Sequence, residues 1–259
     1  MTEGFGHSLK VQMRVIGALM RREMLTRYGR NNIGFLWLFA EPILFTLLTM
    51  AIWGVRKSGS GLPMTAFAIT GYPVAMIWRN SVSRGMKAIS SNNALLYHRN
   101  VRVLDIFTSR IMLEVIGVIA AMFFLIVAFV YLGWMQPPEN TPQVVVGLGL
   151  LGWFGFALAL VIGSLAEFSE VINRLWSPFS FFLFISSGIF TLVDWLPPLA
   201  QHYILLLPMA HGTELVRDGY FGSLFNAHYD IGYLVLWCLV LTLAGFVLMR
   251  RAAEQVDLS

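Results

Sequence analysis

The sequence predicts an all-α membrane protein with six transmembrane helices, preceded by an amphipathic helix lying in the membrane interface. Three observations carry this. The 259-residue chain is 57% hydrophobic and only 12% charged, whereas a soluble domain carries about 25% charged residues. Its apolar runs are long enough to cross a bilayer. Its basic residues gather at the borders of those runs, and only Arg56, Lys57 and Arg217 fall on the side taken as external, which sets both termini inside. No polar segment is long enough to fold separately, so residues 1–259 read as one integral domain, with 1–30 as the interfacial segment and 31–259 as the six-span bundle. The net charge of +4 does not point to nucleic acid, because no basic patch is interleaved with base-stacking aromatics. The single cysteine, Cys238, excludes an intrachain disulfide. The first thirty residues are too polar for a cleavable leader.

Leu9 to Arg27 is the amphipathic helix. Leu9, Met13, Ile16, Met20 and Met24 share one face, and Lys10, Arg14 and Arg21 another. That division suits a helix with its basic side toward anionic headgroups. Glu23 and Arg27 fall on the apolar side, four apart with the acid first. They are expected to pair, to reach partners on another helix, or to snorkel.

The first span, residues 33–55, follows the breaker Gly29-Arg30-Asn31-Asn32 and contains Glu41-Pro42. An ionisable group at that depth normally faces protein or a water-filled path, and the proline loosens the helix. The second span, 64–84, is interrupted by Gly71, Pro73, Trp78, Arg79, Asn80 and Ser81. Such polarity is expected to border an aqueous cavity.

The internal stretch from Arg84 to Asp105 is the pivot of the sequence. It carries Arg84, Lys87, Arg99 and Arg102 around an apolar-aromatic tip, Leu95-Leu96-Tyr97, followed by His98 and Arg99. Solvation alone does not require Leu-Leu-Tyr. Either a soluble partner grips this tip, or the segment rests on lipid headgroups.

The third span, 106–134, holds Arg110 and Glu114 near its inner end, with Asp105 beside them. After the loop Gln136–Pro142, the fourth span, 144–168, places Gly155, Ala159 and Gly163 at four-residue spacing, which lets another helix approach closely. The fifth, 175–193, is rich in phenylalanine. From Asp194 to Asp230 the apolar run Tyr203–Met209 is too short to cross. This segment reads as two re-entrant helices, which require cover from protein or a water-lined cavity. The last span, 231–249, ends at Arg250-Arg251.

No Gly-x-x-x-x-Gly-Lys-Ser/Thr loop occurs, so ATP is not bound by that device. His211 and Glu214, three apart, lack a second histidine to complete a metal set. They either fix the turn between the short helices or line the outer mouth of a path. Trp37, Tyr72 and Trp78 could stack on sugar rings, with Arg79 or Arg84 holding an acidic polymer. Interfacial aromatics are the rival explanation.

Arg22-Glu23, Thr26-Arg27-Tyr28, Gly34-Phe35-Leu36-Trp37 and Glu41-Pro42 resemble the opening of the polysaccharide-export permeases of ABC transporters, the type-two exporter fold. Leu95-Leu96-Tyr97 to Asp105 resembles their cytoplasmic coupling helix. Leu196-Pro197-Pro198 through Pro208, His211, Glu214 and Arg217 resembles their periplasmic re-entrant hairpin. Within that group the chain looks most like the capsule-exporting permeases of Gram-negative bacteria, the KpsM and BexB kind. O-antigen and teichoic-acid permeases are close relatives.

The resemblance implies a homodimer in the inner membrane, working with two separate subunits that bind ATP and magnesium. This chain would itself carry no cofactor and no catalytic residue. It implies coupling through Leu95, Leu96, Tyr97, His98 and Arg99. The cargo would be a lipid-linked acidic polysaccharide, passed on to a periplasmic co-polymerase or adaptor and an outer-membrane export protein. The bottom-up reading adds a substrate path near Trp37, Glu41, Tyr72, Trp78, Arg79 and Arg84. An intramembrane protease is the rival of another class. Ser186 and Ser187 are candidate nucleophiles for it, but the last span holds no histidine to pair with them, and His211 and His228 lie outside.

Overall fold

The computed structural model describes residues 5–28, 40, 41, 43–45, 47, 48, 51, 62–92 and 101–256. Within them the chain is helical, in the order α1 (Phe5–Tyr28), α2 (Met64–Met86), α3 (Val103–Tyr131), α4 (Thr141–Phe168), α5 (Glu170–Phe184), α6 (Pro198–Ile204), α7 (Pro208–Phe221) and α8 (Ile231–Val256). The described residues between 40 and 51 are helical too. Among the described residues three helices are long and apolar enough to cross a membrane by length and composition, in α3, α4 and α8.

At the centre α4 packs against α2 on one side, α8 on another and α7 near its N-terminal end. The small residues of α4 explain the closeness. A Cβ built on Gly155 would stand 2.9 Å from Cα of Trp78, and one on Gly163 would stand 2.9 Å from the backbone carbon of Gly85. Any side chain there would push α2 away, so the four-residue spacing read in the sequence is a seam between backbones.

The second span departs from expectation. It does not border an aqueous cavity along its length: α2 is buried over most of its turns and forms part of the core. Its small polar groups are satisfied within the helix, Thr70 Oγ1 donating to Ala66 O at 2.8 Å and Ser81 Oγ to Ile77 O at 2.6 Å. A hydroxyl bonded to its own backbone loses most of its desolvation cost. Trp78, expected in a substrate path, is 0% exposed and fills the core against α4. A side chain closed off within one copy faces no channel between two.

α5 ends early. It passes into a π turn, Ile185–Ile189, where Gly188 adopts φ +87°, a conformation that favours glycine. The released carbonyls find one partner. Arg217, on α7 and 0% exposed, donates Nη1 to Gly188 O and to Thr191 O at 2.9 Å, and Nη2 to Ile189 O at 3.1 Å. Its guanidinium carbon lies 4.1 Å from the Phe67 ring centroid. One buried cation thus joins α7, the end of α5 and α2.

α6 and α7 form the short helical pair, and each starts on a proline, where the missing N–H is no loss. His211 Nδ1 accepts from Asp230 N at 2.9 Å, so its Nε2 carries the proton and donates to Leu205 O at 2.7 Å. Glu214 accepts from the backbone N–H of Val193 and of His228, each at 3.3 Å. From the loop before α8, Tyr229 Oη donates to Asp218 Oδ2 of α7 at 2.9 Å. Burial, then that bond and the Asp218 charge, raise the Tyr229 phenol above its usual range.

Candidate functional site

A group of buried polar side chains gathers around the two stems of the pivot. The tip itself, with Leu95, Leu96, Tyr97, His98 and Arg99, lies outside the described residues. Its first stem is the turn after α2. Ala88 N donates to Gly85 O at 2.9 Å and Asn92 N to Ile89 O at 2.8 Å, with Asn92 Nδ2 closing on Ala88 O at 2.9 Å. Its second stem is the start of α3, where Asp105 Oδ2 accepts from Arg102 N at 2.9 Å. This satisfies a backbone donor at the helix end and places a negative charge in the first turn.

α1 binds both stems. Arg22 Nη1 donates to Asn92 Oδ1 at 3.0 Å, and Gln12 Nε2 donates to Asp105, which is 1% exposed. Further along, Glu23 and Arg27 do not form the pair with each other that the sequence allowed. Each reaches α3. Arg110 Nε meets Glu23 Oε1 at 3.1 Å, and Arg27 Nη1 meets Glu114 Oε2. On parallel stretches of helix the order Glu-x-x-x-Arg faces Arg-x-x-x-Glu, so opposite charges stand level and like charges never do.

Glu114 is the hub. It is 1% exposed and lies about 16 Å along α3 from Val103 at 1.5 Å per residue. Besides Arg27 it takes Arg84 Nε at 3.4 Å and Asn80 Nδ2 at 2.9 Å, both from α2. A charge at that depth persists only with partners, and these come from two helices. Arg110 also donates Nη1 to Lys87 O on the first stem. Both ends of the pivot are therefore bonded to α1, directly or through α3. A displacement of either stem loads the buried ions.

The expected path residues separate into groups. Trp37 lies outside the described residues, and Trp78 is the core residue already corrected. Arg84 belongs to the Glu114 hub. The other three gather around Phe184 on α5. Tyr72 meets that ring edge-on at 5.9 Å, Arg79 lies 4.8 Å over it, and Tyr72 Oη donates to the exposed Glu41. Tyr72 also stacks on Phe45 at 4.0 Å. His211, Glu214 and Arg217 are buried on α7 and hold backbone. Of the three, His211 reaches the turn between α6 and α7, through Leu205 O, while Glu214 holds the N–H groups of Val193 and His228 and Arg217 the carbonyls of residues 188, 189 and 191. Gln12 and the Arg22–Asn92 link were missed, and Asn80 was expected at water and not at Glu114. A reading of charges alone does not register amides. Gln12 was legible only as a polar residue on a face otherwise apolar.

The profile of the family described as "ABC-2 type transporter" matches residues 14–221. The chain is 44% identical over 255 residues to the capsule polysaccharide export inner-membrane protein CtrC of Neisseria meningitidis, covering 98% of this chain and 96% of that one. It is 44% identical, with the same coverage, to the capsule polysaccharide export inner-membrane protein BexB of Haemophilus influenzae. It is 27% identical to the polysialic acid transport protein KpsM of Escherichia coli, over 95% of this chain and 96% of that one. The matched span runs from the middle of α1 to the end of α7, so it takes in both stems, the buried ion pairs and the short helical pair, and the chain belongs to the ABC-2 type transporter family.

Proposed function

We propose that this chain is the transmembrane permease subunit of an exporter that carries capsular polysaccharide across the bacterial inner membrane. The observation that carries the reading is the 44% identity along nearly the whole length to CtrC and BexB, both named for capsule polysaccharide export. Identity falls to 21% for an O-antigen export permease of Klebsiella pneumoniae, which favours capsule over O-antigen or teichoic acid as cargo.

The finer reading completes the assembly. The chain, residues 1–259 as one domain, crosses six times with both termini cytoplasmic and works as a homodimer. Two separate ATPase subunits bind ATP and magnesium and act on Leu95, Leu96, Tyr97, His98 and Arg99, while this chain hydrolyses nothing. Supporting this, the stems of that loop are bonded to α1 and α3, so force applied at the tip has a rigid path into the bundle. The polymer is acidic and lipid-linked. It passes Glu41, Tyr72 and Arg79 on the side where α2 faces α5, and continues to a periplasmic co-polymerase or adaptor and an outer-membrane export protein. The pair α6–α7 is the periplasmic re-entrant hairpin.

The test is export in a host whose own permease is deleted. The wild-type chain is expected to restore polymer at the cell surface. The Leu96→Asp/Tyr97→Asp variant is expected to insert normally, lose copurification with the ATPase and leave polymer inside the cell. Surface polymer that does not depend on the chain overturns the function, and full export by the variant removes the loop from the mechanism.

A further inference from the structure

The outer side of α1 carries a feature that neither the ion pairs nor the transport reading uses. A groove of about 640 Å³ runs along it, lined by Arg14, Gly17, Ala18, Arg21, Arg22 and Leu25 together with Thr26. Arg14, Ala18, Arg21 and Leu25 follow one another at helical spacing, so the Cα atoms of the two arginines stand about 10 Å apart along the axis. Gly17 and Ala18 lie between them. A Cβ on Gly17 would meet nothing within 4 Å, so a ligand can descend to the backbone there. Arg22 closes the side, held by Asn92 at 3.0 Å.

Among the described residues no acid offsets the charge of the groove. Among the described residues Arg14 and Arg21 have no hydrogen-bond or ion-pair partner. The one acid of α1 within its described length, Glu23, points away to Arg110. Three guanidiniums over a small-residue floor match an oxyanion that accepts forked hydrogen bonds. The flanks say what the anion is attached to. Met13 and Met24 are 63% and 47% exposed, and Leu25 on the groove's own wall is 64% exposed. A helix with bare apolar side chains beside bare arginines fits a ligand that is anionic at the head and hydrocarbon behind it.

We propose that this groove is a phospholipid site, in which Arg14, Arg21 and Arg22 hold the phosphate of an anionic phospholipid from the leaflet bordering α1. The site does not depend on which polymer is transported. It lies beside the first stem, because Arg22 bonds Asn92 at the end of that turn, so a bound headgroup braces the stem from the lipid side.

The full chain, purified in a neutral detergent, is titrated with short-chain phosphatidylglycerol, short-chain phosphatidylcholine and inorganic phosphate in turn, with the thermal unfolding midpoint read at each step. Phosphatidylglycerol is expected to raise the midpoint, and the other two are not. Arg14→Gln/Arg21→Gln is expected to keep the lipid-free midpoint, since neither side chain has a partner, and to weaken the apparent affinity for phosphatidylglycerol about tenfold or more. Arg250→Gln/Arg251→Gln removes the same charge from the exposed end of α8 and is expected to leave that affinity within about twofold. Equal effects of the two phospholipids overturn the site. So does an equal loss in the α8 variant, which would mean diffuse attraction. An equal rise with inorganic phosphate would make the occupant a free anion and overturn the lipid.

Discussion

Replacing Glu114 with glutamine tests the buried hub directly. The substitution keeps the shape and an acceptor oxygen for Asn80, but it removes the charge facing Arg27 and Arg84. Glu114 is 1% exposed, while its two cations keep 19% and 37% of their side-chain surface. Breaking a fully buried pair by neutralising one partner costs about 3–5 kcal/mol. Here the stranded cations can turn toward water, so the expected loss is near the lower end, about 3 kcal/mol. Arg27→Gln alone leaves Glu114 with Arg84 at 3.4 Å and should cost less, about 1–2 kcal/mol. The double variant then separates coupling from simple loss. With both charges gone no uncompensated ion remains between α1 and α3, so the double variant is expected to recover about 1–2 kcal/mol relative to the sum of the single losses. The assay is equilibrium unfolding of the purified chain in mixed micelles, with all four proteins in the cycle measured under one condition. Strict additivity of the two single losses would refute the pairing, and an unchanged Glu114→Gln would refute the burial of the hub as well.

Gly155→Ala introduces a Cβ 2.9 Å from Cα of Trp78; the seam between α2 and α4 must open, and a loss of about 1–3 kcal/mol in the same unfolding assay is expected. Gly149→Ala, where a Cβ meets nothing within 4 Å, serves as the neutral control. Arg217→Met retains the volume near Phe67 but strands the carbonyls of Gly188, Ile189 and Thr191. A destabilisation of about 3 kcal/mol or more is expected, together with faster proteolysis around residues 188–196 in the folded protein.

The fold was legible where one element decides its own fate. α3, α4 and α8 are apolar over most of their lengths, and their ends fall within a few residues of the expected positions; only α8 runs on past residue 249, to Val256. The seam glycines of α4 were legible too, because a four-residue repeat of small residues has one structural use in a bundle. What misled was the polarity of α2. Trp78 and Ser81 suggested contact with water, yet a hydroxyl can bond its own helix and a tryptophan can close a core. Sequence polarity reports how many donors a helix carries, and not whether water satisfies them. The early end of α5 was hidden for a related reason. Gly188 needs Arg217, twenty-nine residues later, and local pattern contains no trace of a partner so distant.

The buried ion pairs lie between these cases, and they show what a sequence can yield when two elements are compared. Taken alone, Glu23 with Arg27 looks like a favourable pair within one helix, and Arg110 with Glu114 like a poorer one. Taken together, each segment carries two charges four residues apart in opposite order. Within one helix each pair gives a few tenths of a kcal/mol at the surface. Across two parallel helices the same four groups satisfy one another at a depth where none could remain unpaired. Burial therefore favours the crossed arrangement, and the structure adopts it. The consequence is directional: α1 cannot slide along α3 by one turn without setting Glu23 beside Glu114 or Arg27 beside Arg110. The pairs fix the register of α1 against the stem of the pivot, so α1 and α3 move as a unit when the loop between α2 and α3 is displaced.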